Sequence, residues 1–187
     1  RRPVFLQEVG RWQAAFAAQP GQRWALYLED PFDFAAALYG AWHAGKTPYL
    51  PGDMQGATLG RLRLLVDGFA GELPGAIGHA TEPAEQPSHA LDPDGTRLML
   101  FTSGSSGEPS AVEKKLSQLN AEIHAHQALF GTRWAGHGEL SVYGTVSHQH
   151  IYGLLFLVLW PLAAGWRFMA QRLVELETRG LVRKVRL

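Results

Sequence analysis

Short, largely apolar runs alternate, along most of this chain, with longer stretches whose apolar residues recur every three or four positions. That alternation predicts an α/β fold, a sheet layered with helices. Val4 to Ala18 carries Val4, Phe5, Val9, Trp12 and Phe16 on one helical face. Arg23 to Leu28 reads as a strand. Asp30 then offers an N-cap, with Pro31 at the first helical position and Asp33 in the first turn. Phe34, Leu38 and Trp42 mark the buried stripe of that helix, and Gly45 ends it. Thr47 to Leu50 is a second strand, stopped by Pro51-Gly52. Leu59 to Phe69 reads as a third helix, with Leu62, Leu65 and Val66 inward.

Pro74 to Pro93 is rich in Pro, Gly, Glu and Ala and reads as loop with room for one short strand. Arg97 to Phe101 and Ala111 to Lys115 are strands of one hairpin. Ser117 caps a helix whose face is Leu119, Ile123 and Phe130, ended by Gly131. Leu140 to Val146 is a further strand. The apolar run Ile151 to Ala164 is shorter than the ~20 residues that span a bilayer and reads as a buried helix. The expected core includes Leu38, Trp42, Leu65, Phe101, Ile123 and Leu157.

The chain has 187 residues, enough for one large domain or two small lobes. At this size a domain buries roughly 70% of its extended-chain surface, so a core forms without staples. Seventeen basic residues balance 17 acidic ones, which argues against a nucleic-acid or anionic-membrane partner. The lack of cysteine excludes disulfides and thiolate metal sites and is compatible with a reducing cytoplasm, the expected location.

Between the hairpin strands stands Thr102-Ser103-Gly104-Ser105-Ser106-Gly107. Glycine lets backbone amides approach a ligand closely, and the hydroxyls add donors that rotate to suit, so the stretch fits a phosphate cradle. It also fits a tight surface turn, because Gly and Ser are turn residues. It is not the common nucleotide P-loop, since Glu108 stands where that pattern needs lysine. A nucleophile elbow needs glycine two residues either side of the serine, and Gly104-Ser105-Ser106-Gly107 misses that spacing. His124, His126, His148 and His150 come as two pairs with no third ligand nearby, so no metal site is expected.

The stretch "TSGSSGEPSAV" resembles the phosphate-binding motif of the adenylate-forming (AMP-binding) ligases, among them acyl-CoA synthetases and peptide-synthetase adenylation domains. Ala44 to Asp53, "AGKTPYLPGD", is similar to an upstream motif of that family. His150-Ile151-Tyr152-Gly153, followed by Pro161-Leu162 and Gly165, is similar to a downstream motif bordering the acyl pocket. The motifs fall in family order and cover about Asp30 to Phe168. "EKKLSQLNAEI" is further similar to synthetases of aryl-polyene or fatty-acid-like pathways.

The resemblance implies the N-terminal portion of the ligase fold, with a mixed sheet and a Gly/Ser loop between two strands. It implies a truncated acyl-activating domain, residues 1–168, followed by a basic tail, 169–187, atypical of the family. It also implies ATP-dependent adenylation of a fatty or aryl carboxylic acid, then transfer to coenzyme A or to the phosphopantetheine of an acyl carrier protein. Thr102, Ser103, Gly104, Ser105, Ser106 and Gly107 would hold ATP phosphates with Mg²⁺, and His150, Tyr152 and Gly153 would border the acid. Two departures stand out. The family's loop lysine falls at Ser110, with Lys114 and Lys115 over ~12 Å further along a strand. The family's adenine-holding Tyr-x-x-Thr-Gly-Asp-type stretch and its C-terminal catalytic lysine have no counterpart, so no catalytic residue is assigned. A truncated product, a frameshifted end or a fragment accounts for this, and an inactive relic or interaction module is the rival reading.

Overall fold

The computed structural model describes residues 2–82, 84–102, 110–133 and 140–168. Helix α1 (Arg2–Ala17) leads into strand β1 (Arg23–Tyr27). Helix α2 (Pro31–His43) starts as its sequence dictates. The Asp30 carboxylate accepts from the N–H groups of Phe32 at 2.7 Å and Asp33 at 3.1 Å, satisfying donors that the first turn leaves orphaned. Gly45, with φ of 71°, turns the chain into β2 (Thr47–Leu50). Helix α3 (Gly56–Leu65) follows, then β3 (Gly68–Gly71), β4 (Arg97–Thr102), β5 (Ser110–Lys115) and α4 (Leu116–Phe130).

Five strands form one sheet in the order β3-β1-β2-β4-β5. The pairs β1–β2, β1–β3 and β2–β4 are parallel, and β4–β5 is antiparallel. Parallel neighbours need crossovers, which the intervening helices supply. Helix α2 is buried over Phe34 to Leu38 and again at Ala41 and Trp42, which places it in the core. A Cβ on its Gly40 would lie 2.5 Å from the Cβ of Trp12, so only glycine lets α1 cross there. The indole N–H of Trp42 donates to the carbonyl of Arg97 at 2.9 Å, tying α2 to β4.

The chain after α4 makes a 3₁₀ turn (Gly131–Arg133) and a two-stranded pair, β6 (Ser141–Val142) with β7 (Arg167–Phe168). Between them runs one continuous helical stretch: α5 (Ile151–Gly153), a π turn (Leu154–Leu159) and α6 (Trp160–Ala164). Pro161 has no N–H to give a regular helix, and the Trp160 N–H bonds back to the carbonyl of Leu155. Leu154, Leu155, Val158 and Leu159 join the core of α1, α2 and the sheet. Among the described residues no helix is long and apolar enough to cross a membrane.

Several expectations need correcting. The third helix stops at Leu65, and Phe69 lies in β3. The Asp67 carboxylate draws the chain into the sheet by accepting from the backbone N–H of Gln22 and of Arg23, each at 2.9 Å. Leu65 is therefore 40% exposed, not core. Phe101 and Leu157 are half-buried, whereas Leu38, Trp42 and Ile123 are buried. Ser117 is not the cap of α4. The helix begins one residue earlier, the Ser117 hydroxyl donates to Asp94 at 2.8 Å, and the Gln118 side chain accepts from the Lys115 N–H at 2.9 Å. Phe130 is exposed, off the buried stripe of α4. Gly131 does end that helix, as its C-cap, with its N–H donating to the carbonyl of Gln127, and it also opens the 3₁₀ turn. The strand expected over Leu140 to Val146 shortens to β6.

Candidate functional site

Because β1, β2, β3 and β4 run parallel, their carboxyl ends lie at the same end of the sheet. In open α/β sheets that end is where ligands bind. β4 delivers Thr102 there, and Thr102 pairs with Ser110 as the last rung described of the hairpin. Ser103, Gly104, Ser105, Ser106 and Gly107 follow it and lie outside the described residues.

The end of β2 brings Gly52 to the same place. A Cβ on Gly52 would sit 2.9 Å from Cε1 of His150 and 3.8 Å from the carbonyl oxygen of Phe101. The upstream motif, the downstream motif and the strand that carries the loop thus meet within contact distance. Of the other residues singled out from the sequence, Tyr152 is 71% exposed. Gly153 is buried, and a Cβ there would run into the carbonyl of Ser147, so its glycine serves close packing of the turn that carries His150.

Sequence reasoning missed what holds that turn. His148 and Gln149 are 7% and 2% exposed, and both reach across to the carbonyl of Leu28 at the end of β1. His148 Nε2 lies 2.8 Å from that oxygen, and Gln149 Nε2 donates to it at 2.8 Å. The His148 ring also packs on Phe34, with centroids 4.7 Å apart. Buried polar groups keep their hydrogen bonds at high cost of removal, so this clamp fixes His150 beside Gly52. A polar pair leading into an apolar run was the signal available, but nothing local points to a partner 120 residues away.

The two lysines after the loop cannot stand in for one at Ser110. Lys114 and Lys115 pair in register with Leu98 and Arg97, at the amino end of β4, and Lys114 Nζ donates to Glu122 at 2.9 Å. Of the paired histidines, His126 packs against Phe156 at 4.4 Å between ring centroids, and His124 is exposed. No group of three or more His, Asp or Glu side chains is placed to hold a metal among the described residues.

No protein-family model matches the chain, and no curated protein matches it significantly. Solved structures do. O-succinylbenzoate coenzyme A synthetase (MenE) from Bacillus subtilis, in complex with AMP, superposes with a TM-score of 0.71 at 15% identity, over 97% of this chain and 51% of that one. The same enzyme with ATP and magnesium ion gives 0.68 at 15% identity, over 97% and 53%. The adenylation domain of a keto acid-selecting NRPS module, bound to keto acyl adenylate, gives 0.67 at 14% identity, over 89% and 36%. The chain therefore spans about half the length of these two MenE chains. Its mixed α/β sheet with flanking helices is the fold of the N-terminal part of the adenylate-forming ligases.

Proposed function

We propose that this chain is the phosphate- and acid-binding part of an acyl-activating ligase. In that reaction a carboxylate oxygen attacks the α-phosphorus of ATP, the bond to the β-phosphate breaks, and pyrophosphate leaves. A thiol then takes the acyl group from the adenylate and AMP leaves, the thiol belonging to coenzyme A or a carrier-protein phosphopantetheine. The observation that supports this reading is the convergence of Gly52, the end of β4 and His150 at one end of the parallel sheet.

Thr102, Ser103, Gly104, Ser105, Ser106 and Gly107 are assigned to the ATP phosphates. Their donors stabilise charge that spreads over phosphate oxygens without reorganising. His150, with Tyr152 and Gly153 beside it, is assigned to the acid side, for a fatty or aryl acid. Mg²⁺ would arrive on the nucleotide, since no acidic cluster among the described residues is built to hold it. One observation favours a weaker, non-catalytic version of the same site. With serine at position 110 and both following lysines at the far end of the hairpin, the loop has no nearby lysine of its own strand.

The test is an NMR titration of the chain with Mg·ATP. Each neutral hydrogen bond adds about 0.5–1.5 kcal/mol, so a loop without its lysine gives affinity on the order of millimolar. The amides of residues 103–107 are expected to shift, Gly104→Val to abolish the shifts, and Ser110→Lys to strengthen binding. Unmoved amides at saturating nucleotide, with Ser110→Lys without effect, would reduce the loop to a turn.

A further inference from the structure

Between β3 and β4 the chain crosses helices α1 and α2. A Cβ on Gly10 of α1 would run into the carbonyl of Glu85, so the backbone there rests directly on that helix. Just upstream, the Ala80 N–H donates to the carbonyl of Arg11 at 3.2 Å, and the His79 ring meets Trp12 edge to face with centroids 5.9 Å apart. Further on, Leu91 packs against the core. Between these points His89 meets His43, the last residue of α2, with ring centroids 5.1 Å apart and planes at 81°.

His89 is exposed and His43 is half-buried. His43 Nδ1 is itself buried, without a hydrogen-bond partner. A neutral imidazole can leave one ring nitrogen unprotonated, whereas the charged ring carries a proton on both. Protonating His43 would therefore bury a donor with nothing to accept from it, and two charged rings at this distance repel. The groups packed around His43 do not offset this. Helix α1 brings the uncharged Gln13, whose Nε2 donates to the His43 carbonyl at 3.5 Å, and its Arg11 is paired with Glu8. Strand β4 brings Arg97, whose carbonyl is bonded to Trp42 and whose guanidinium is paired with Glu113. Lys46, beyond the end of α2, is bonded to the carbonyls of Gln19 and Gly21. A helix C-terminus favours a cation, yet burial first, and then His89, hold His43 below its ordinary value.

We propose that residues 84–91 form a strap latched by the neutral His43–His89 pair, and that this strap releases α1 and α2 when acid charges the two rings, while the sheet stays closed. Out of the latch, His43 takes its proton near the ordinary histidine value, about 6.5. The open form thus binds the proton first, so latching is complete above that pH and weakens below it. Opening bares α1 around Gly10. The device does not depend on the ligase reading, since it uses neither the loop nor Gly52.

The experiment is hydrogen exchange of the 187-residue chain, read by mass spectrometry at about pH 7.5 and about pH 5.3, with labelling times scaled to the intrinsic amide rates. Both values lie above the ordinary carboxylate range, so histidine is the side chain that the step titrates. Amides of residues 84–91 are expected to exchange about threefold faster or more at the lower pH, with those of β1 and β4 unchanged. His89→Phe keeps a ring against His43 and removes one charge, and is expected to cut that response by about half or more. His43→Phe is expected to abolish it. His79→Phe, upstream of the strap, and His124→Phe, exposed on α4, are expected to leave it intact. Because the His89 side chain is exposed, its variant tests the pair without disturbing the interior. Exchange in the strap that does not change with pH, a response unaltered by His43→Phe or by His89→Phe, one lost in His79→Phe, or equal acceleration in β1 and β4 would overturn the latch.

Discussion

Gly153 and Gly60 are both helical glycines, yet a methyl group at each would do opposite things. At Gly153 it would collide with the carbonyl of Ser147 and the Cα of His148, which are backbone and cannot swing away. At Gly60, on exposed α3, it would meet nothing within 4 Å. Gly153→Ala is therefore expected to destabilise the chain by about 1–3 kcal/mol, the usual cost of overpacking. Gly60→Ala is expected to stabilise it by about 0.8–1 kcal/mol, because alanine is the better helix former. Urea unfolding midpoints check both. Equal midpoints for Gly153→Ala and the parent would mean that the turn carrying His150 is loosely held. At this scale the sequence was readable where a residue acts on its neighbours. Asp30 caps the residues just after it, and Pro31 sits where its missing N–H costs nothing. Gln149 was not readable, because its partner, Leu28, is brought to it by the fold alone.

Strands β1 and β3 are joined at one end by Arg23 and Asp67, whose guanidinium and carboxylate lie 2.9 Å apart. The Asp67 carboxyl is held well below its ordinary range, first by the Arg23 side chain, then by the backbone N–H groups of Arg23 and Gln22. A carboxyl depressed by folding contributes stability that is complete above its unfolded value, about 3.9. That contribution fades as pH falls below this value, because the unfolded chain takes the proton first. The difference in melting temperature between the parent and Asp67→Asn is thus expected to be largest near neutrality and to shrink below about pH 4. A difference constant from neutral to strongly acid pH would show that the carboxylate's charge does not hold these strands. The same residue explains why β3 was not legible. Gly68-Phe69-Ala70-Gly71 has neither alternation nor β-branched residues, and its place comes from Asp67 bonding residues 44 and 45 positions away. The strands β1, β2 and β4 were legible because each is a short apolar or alternating run ended by turn residues, and β5 because such residues stand just before it.

For the molecule as a whole, the α/β class was legible from the alternation of strand-like and helix-like runs. The packing of residues 84–91 across α1 and α2 was not, since it joins segments far apart in sequence. Helix α2, sheet and π-bearing helix share a single large core, whereas Ala25, Leu62 and Leu73 form a smaller one beneath α3. The 187 residues contain no counterpart of the stretch that the family resemblance assigns to adenine, nor of its C-terminal lysine. The purified chain alone is accordingly expected to give no carboxylate-dependent exchange of pyrophosphate into ATP, measured with labelled pyrophosphate. Robust exchange would show that phosphate and acid contacts suffice.

The strand order has a consequence for synthesis. β1 lies between β3 and β2, and both of these partners are complete once the ribosome has passed Gly71. β4, which must pair with the free side of β2, is not finished until Thr102. A nascent chain therefore holds three adjacent strands while one edge waits unpaired, and an unpaired edge is where chains stick to one another. Leu98 and Leu100, both buried in the finished sheet, arrive with the strand that closes that edge. Until that strand arrives, the free side of β2 is the edge a growing chain has to keep from its neighbours.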